Sequence, residues 1–191
     1  KYCRSDIAEG YLSNKTSGTT KWYNGKNNVQ NGTYNYSKNI KSSSIDKVAK
    51  VRWNTSRATY GASALNSYNQ ERSTTLIDTP RDKVPRNNTW DGKIALIYPS
   101  DYGYASTNTA CRSGLGSTSC ENENWLFNSA SQWTLSPDSG YTDIVFGGNA
   151  GGNVGNIIAS DARGVRPALF LKSDVVIAGG TGTESDPYTI E

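Results

Sequence analysis

The chain holds no histidine, which excludes every scheme that needs an imidazole as base, acid or ligand: Ser-His-Asp and Cys-His nucleophiles and most zinc hydrolases. Glycoside hydrolysis needs only two carboxylates facing each other across a cleft, and Asp101, Glu121, Glu123, Asp138, Asp143 and Asp161 are available. Nothing in their spacing selects a pair, so the chain is read as non-catalytic. Cysteines stand at positions 3, 111 and 120. With no His and no second close Cys pair to complete a tetrahedral metal site, a disulfide is the better reading of Cys111 and Cys120. Closing that short loop restricts the unfolded chain by roughly 2.5–3 kcal/mol and implies an oxidising, extracytoplasmic compartment. Cys3 is left over. It either pairs with upstream residues or another chain, or is a free thiol near the terminus. Among the aromatics, Trp125 and Trp133 lie beside Leu126, Phe127 and Leu135 and read as core. Their functional alternative is a sugar-stacking platform, since a ring face suits the C–H face of a sugar while Asn and Asp read its hydroxyls; Tyr102, Tyr104 and Tyr141 fall in predicted loops and are the better surface candidates.

The elements that must hold these groups are short. Residues 1–43 are polar and turn-rich, and Asn24-Gly25 after Trp22-Tyr23 suits a hairpin turn. Ser44 caps a predicted helix through Val51, with Ile45, Val48 and Val51 at three-residue spacing, and Trp53 marks its exit into the core. A second helix is predicted over 62–72, with Ala64, Leu65 and Tyr68 on one face. Pro80 and Pro85 bracket a loop. Asp91-Gly92 reads as a turn, and 93–98 as a strand ended by Pro99. Residues 100–119 read as a long loop pinned by the cysteines, and 136–161 as a second irregular stretch containing Gly147-Gly148 and Gly151-Gly152. Strands are predicted at 165–171, 175–177 and 188–190, around a turn cluster at Gly179-Gly180-Thr181-Gly182-Thr183.

At 191 residues the chain suits one domain, and 35% hydrophobic residues with abundant Gly, Asn, Ser, Thr and Tyr favour a loop-rich fold containing β-structure over a helical bundle. A net charge of +3 spread along the chain forms no basic stripe, which argues against nucleic acid as a partner. No run of 18 apolar residues exists, so this segment is not expected to span or touch a membrane. The absence of Met marks a processed product or a fragment, so an upstream export signal or anchor is expected.

Over about 90–190, WDGKIALIYPSDYGYA, the Cys111 to Cys120 loop, ENWLFN, WTLSP, GVRPALFL and GTGTESDPY together resemble a family of surface domains of gut Firmicutes, often carried behind a pilin-like segment. The pair Trp125 and Trp133 followed by the Gly-Val-Arg-Pro-Ala-Leu strand also resembles the end of C-type-lectin-like and formylglycine-generating-enzyme-like domains. The resemblance implies an α+β, C-type-lectin-like fold over 1–191: a small twisted antiparallel sheet, short helices and long irregular loops, with 1–43 packed on it as an extension. It implies a ligand site on the loops before and after Trp133, drawing on Tyr102, Tyr104, Tyr141, Asp143, Asn149 and Asn153. Calcium is the one candidate cofactor, through Asp138, Asp143 and Asp161, although no Asp-x-Asp-x-Asp-Gly loop is present. Arg166 is expected to hold a neighbouring loop carbonyl or a carboxylate. The oxidase chemistry of the formylglycine enzymes does not carry over, because Cys111 and Cys120 fall outside the region of that family's reactive pair. The function implied is a non-catalytic extracellular module on a bacterial surface that binds a glycan or a surface protein. The alternative is the head of a pilin-like filament subunit that associates with itself.

Overall fold

Residues 41–73, 89–127, 129–141, 143–159, 161, 163–183 and 185–191 are described in the computed structural model. The Asn24-Gly25 turn, Cys3 and the Pro80 and Pro85 loop lie outside them. The described chain is mixed α+β, built from short helices and small antiparallel sheets.

Helix α1 (Ser42–Ile45) is one turn long. The predicted run to Val51 does not form because 47–49 pairs with the C-terminal part of the chain instead: the Ala49 amide donates to the Phe170 carbonyl at 2.9 Å and the Lys172 amide to the Lys47 carbonyl at 2.9 Å. The β-branched Val48 and Val51 suit that extended course. Strand β1 (Val51–Asn54) follows and carries the buried Trp53. Helix α2 (Ala64–Glu71) lies within the predicted span 62–72 and starts two residues into it, with the Ser63 hydroxyl accepting from the Asn66 amide at 3.1 Å. Its inward face is Ala64, Ser67 and Glu71, while Leu65 and Tyr68 are exposed, which corrects the predicted face.

Strand β2 (Thr89–Gly92) pairs with β1, placing Trp53 opposite Trp90 and Arg52 opposite Asp91. The predicted Asp91-Gly92 turn is therefore strand. Gly92 is needed because the Trp90 ring lies across it, so that an added Cβ would fall 2.1 Å from the indole. Strand β3 (Ile94–Leu96) leads into α3 (Pro99–Tyr104), then α4 (Thr109–Ser113) and a 3-10 turn at Thr118–Glu121. The expected long loop at 100–119 is thus largely helical. Pro99 at the first helical position and Asp101, whose carboxylate accepts from the Tyr98 amide at 2.9 Å, start α3.

Strands β4 (Gln132–Pro137), β5 (Ile144–Gly148) and β6 (Val154–Ile158) form the three-stranded antiparallel sheet, β4-β5-β6. The stretch 136–161, expected to be irregular, is mainly the β5–β6 hairpin. Strand β7 (Pro167–Leu169) pairs with β3, and β8 (Ile177–Gly179) with β9 (Thr189–Ile190), each shorter than or offset from its predicted strand.

Two apolar clusters share these strands. Trp53, Trp90, Leu96, Tyr98, Trp133, Leu135, Val145 and Ile157 lie in one; Ala64, Ile97, Tyr102, Cys111, Leu115, Cys120, Leu126, Phe146 and Val154 lie in the other. Neighbouring residues of β5, Val145 and Phe146, point to opposite clusters, as the two-residue period of a strand requires. The sheet is therefore buried on both faces, with Val145 4% and Phe146 2% exposed.

Candidate functional site

Trp125 is the anomaly of the second cluster's rim. Expected in the core, it is instead 78% exposed, whereas Trp133 is 2% exposed. A Trp side chain presents about 150–250 Å² of largely apolar surface, so the uncovered ring forgoes about 4 kcal/mol of burial.

The loop that carries it is fixed from both sides. Cys111 and Cys120 are joined by a disulfide, and both are fully buried. Next, the buried amide of Asn124 donates to the Tyr102 carbonyl at 3.1 Å and the Cys120 carbonyl at 3.0 Å, while its oxygen accepts from the Leu126 amide at 2.9 Å. Beyond the tryptophan, the Leu126 carbonyl accepts from Arg166 Nη1 at 2.6 Å and from Gln132 Nε2 at 3.3 Å. The Thr107 amide holds the Glu123 carbonyl at 3.3 Å, and the Ser106 hydroxyl holds the Asn122 carbonyl at 3.0 Å. Glu123 and Ser129, on either side of Trp125, are the two non-glycine residues with positive φ among the described residues, at 53° and 57°. Such conformations cost free energy and persist where the surroundings over-determine them.

The tip of the β5–β6 hairpin closes on the start of this loop. Gly152 has φ +86°, and an added Cβ would lie 2.5 Å from the Glu121 backbone nitrogen, so only glycine allows the approach. Asn149 and Asn153 face each other across the tip, the Asn149 amide donating to the Asn153 carbonyl at 2.8 Å. The Ala150 amide reaches the Ser131 hydroxyl at 3.3 Å.

Tyr102 lies beneath, on α3 and not in a loop, and is 1% exposed. Its hydroxyl has no hydrogen-bond partner among the described residues. Burial pushes its pKa up to about 12, with Arg166 acting to lower it and Glu121 to raise it. It therefore supports the loop from below, and its expected place as a surface contact is corrected. Arg166 holds a loop carbonyl, one of the two roles expected of it.

The remaining expected residues are spread out. Tyr104 is 46% exposed at the end of α3 and Tyr141 is 44% exposed before β5. Asp138 is buried and its carboxylate accepts from the Gly140 amide at 2.7 Å; Asp161 pairs with Arg163 at 2.9 Å; Asp143 is exposed, and its carbonyl accepts from the Ala159 amide. No three carboxylate or cysteine groups are gathered as a metal site among the described residues, so the structure does not bring Asp138, Asp143 and Asp161 together around one ion. Of the other carboxylates weighed for hydrolysis, Asp101 pairs with Arg72 at 3.3 Å and Glu123 accepts from the Thr107 hydroxyl.

The expected ligand set thus resolves into Asn149 and Asn153 at a hairpin tip beside the Trp125 loop, with Tyr102 under it. Sequence reasoning placed Trp125 in the core and kept a sugar-stacking platform only as its second reading. The available signal was its place in Glu-Asn-Glu-Asn-Trp, a polar run without helix or strand period. No protein-family model, curated protein or solved structure matches the chain. Among the described residues no helix is long and apolar enough to cross a membrane.

Proposed function

We propose that this chain is a non-catalytic, extracellular binding module with a C-type-lectin-like fold, displayed on a bacterial surface and recognising a glycan or surface protein through the Trp125 loop. One observation carries the reading: a tryptophan held in solvent on a loop whose backbone is tied down by Asn124, Gln132 and Arg166. A rigid exposed aromatic loses little freedom on binding and offers a large contact face, the property of binding hot spots. The disulfide beside it supports an oxidising compartment. Binding of the purified chain to a glycan and mucin array, beside Trp125→Ala, tests the reading. Saturable binding that the variant loses supports it; binding equal in both would remove the site.

The alternative, a filament head that contacts copies of itself, draws on a different surface. Phe170 is 57% exposed, Val176 63% and Ile177 58%, all near the C-terminal strands. Concentration-dependent assembly abolished by Val176→Asp and retained by Trp125→Ala would favour it.

A further inference from the structure

Arg166 is fixed at one end and unspent at the other. It is half-buried, and Nη1 is engaged by the Leu126 carbonyl at 2.6 Å. A guanidinium carries five N–H donors in a planar fork. No carboxylate among the described residues lies within ion-pair distance of it, in contrast to Arg52, Arg72 and Arg163, which have Asp91, Glu71 with Asp101, and Asp161. The cation is thus positioned one residue along the backbone from the exposed indole, with donors to spare.

We propose that the Trp125 loop takes a sugar bearing a carboxylate, a uronic or sialic acid unit, with Arg166 receiving the carboxylate and Trp125 covering the C–H face of the ring. The proposal rests on the binding-module reading above and names its ligand class. Arg matches a planar carboxylate with two parallel charge-assisted hydrogen bonds, and a methyl ester, which is uncharged and keeps one strong acceptor oxygen, cannot reproduce that pairing. Charge count points the same way. Arg163, the nearest arginine in sequence, is committed to Asp161, and Glu121 lies close enough that it and Arg166 act in opposite senses on the Tyr102 hydroxyl. One available cation with an acid close by suits a single negative charge and disfavours a phosphate dianion. Asn149 and Asn153, at the hairpin tip over Glu121, supply amides for the sugar hydroxyls.

The test measures affinities of the whole chain for matched ligands: sialyllactose against lactose, and an oligogalacturonate against its methyl ester and a sulfated galactan. Because esterification alters the ligand and leaves the protein intact, no folding defect can mimic the result. The expected outcome is at least about tenfold weaker binding of the ester and of lactose, loss of binding in Trp125→Ala, and weakening with added salt. Arg166→Lys, which keeps the charge and loses the fork, should fall between wild type and Arg166→Gln. Equal affinity for acid and ester, both lost in Trp125→Ala, would overturn the carboxylate and leave the binding module standing, as would preference for the sulfated ligand. Absence of binding throughout the panel would overturn the acidic-sugar ligand, and sugar binding indifferent to Trp125→Ala would overturn the ligand assignment and the Trp125 site together.

Discussion

Replacing Glu71 by glutamine should remove most of the pH dependence of this protein's stability between pH 5 and 8. The Glu71 carboxyl is 0% exposed on the inner face of α2, where it accepts from the Ser100 amide at 3.1 Å and from the Ser100 hydroxyl, with Arg72 Nη1 at 3.2 Å. Arg72 is itself held between the Tyr68 and Tyr98 rings at 4.1 and 4.4 Å and shared with Asp101. Desolvation outweighs these donors and raises the Glu71 pKa from 4.5 to about 7. A carboxyl with a raised folded pKa holds its proton more tightly in the native state. Its stabilising contribution is therefore complete below pH 4.5 and is lost as pH rises through 7. At about 1.4 kcal/mol per pH unit the whole effect is about 3 kcal/mol, most of it falling between pH 5 and 8. For a chain of this length that is a fall in Tm of roughly 5–10 °C on going from pH 5 to pH 8. In Glu71→Gln the new amide would still accept from the Ser100 amide and would carry no charge, so thermal unfolding of the variant across the same range should be nearly flat. An equally steep profile in the variant would refute the argument and move the titrating group elsewhere.

Trp125→Ala should leave Tm within about 2 °C of wild type, since the ring is exposed, while weakening ligand binding by at least about 30-fold; circular dichroism melts beside binding isotherms separate the two. Cleaving the Cys111–Cys120 disulfide with reductant should cost roughly 2.5–3 kcal/mol, and mass spectrometry of the alkylated protein should report the two released thiols. Gly152→Ala meets both a φ of +86° and the Glu121 backbone, so it should destabilise by about 1–3 kcal/mol in denaturant melts and weaken binding even though residue 152 need not touch the ligand.

The coarse character of the fold was legible in composition: few leucines and many Gly, Asn and Tyr pointed to short strands and helices. Single elements were harder, for identifiable reasons. Pro99 is a strand-ending signal and also the first residue of α3; Asp101 two positions on was the helix signal beside it. Glycines at 147, 148, 151 and 152 suggested one long loop, yet the first two lie within β5 and the last at its hairpin turn, because apolar Ile144-Val145-Phe146 and Val154 with Ile157 carry the pairing. The inward face of α2 escaped notice because Glu71 is buried by partners on α3, which local hydrophobicity does not reveal. The candidate site was legible in part. Of the expected ligand residues, Asn149 and Asn153 sit at the hairpin tip that closes on Glu121, Tyr102 is buried on α3, and Tyr104, Tyr141 and Asp143 lie apart from them. The exposure of Trp125 depends on Asn124, Gln132 and Arg166 gripping main-chain atoms on either side of it, and such long-range side-chain-to-backbone bonds leave no period in the sequence.

On the binding-module proposal, that grip separates shape from recognition along the chain. The ties run from Asn124 to carbonyls at 102 and 120 and from Gln132 and Arg166 to the carbonyl at 126, and none uses the side chain of residue 125. Position 125 is therefore free to vary on a constant mount: Tyr, Arg or Leu there would present a different chemistry from the same backbone. A library varied at 125 and at the hairpin-tip positions 149 and 153 would explore new ligands while drawing little on the stability of the fold.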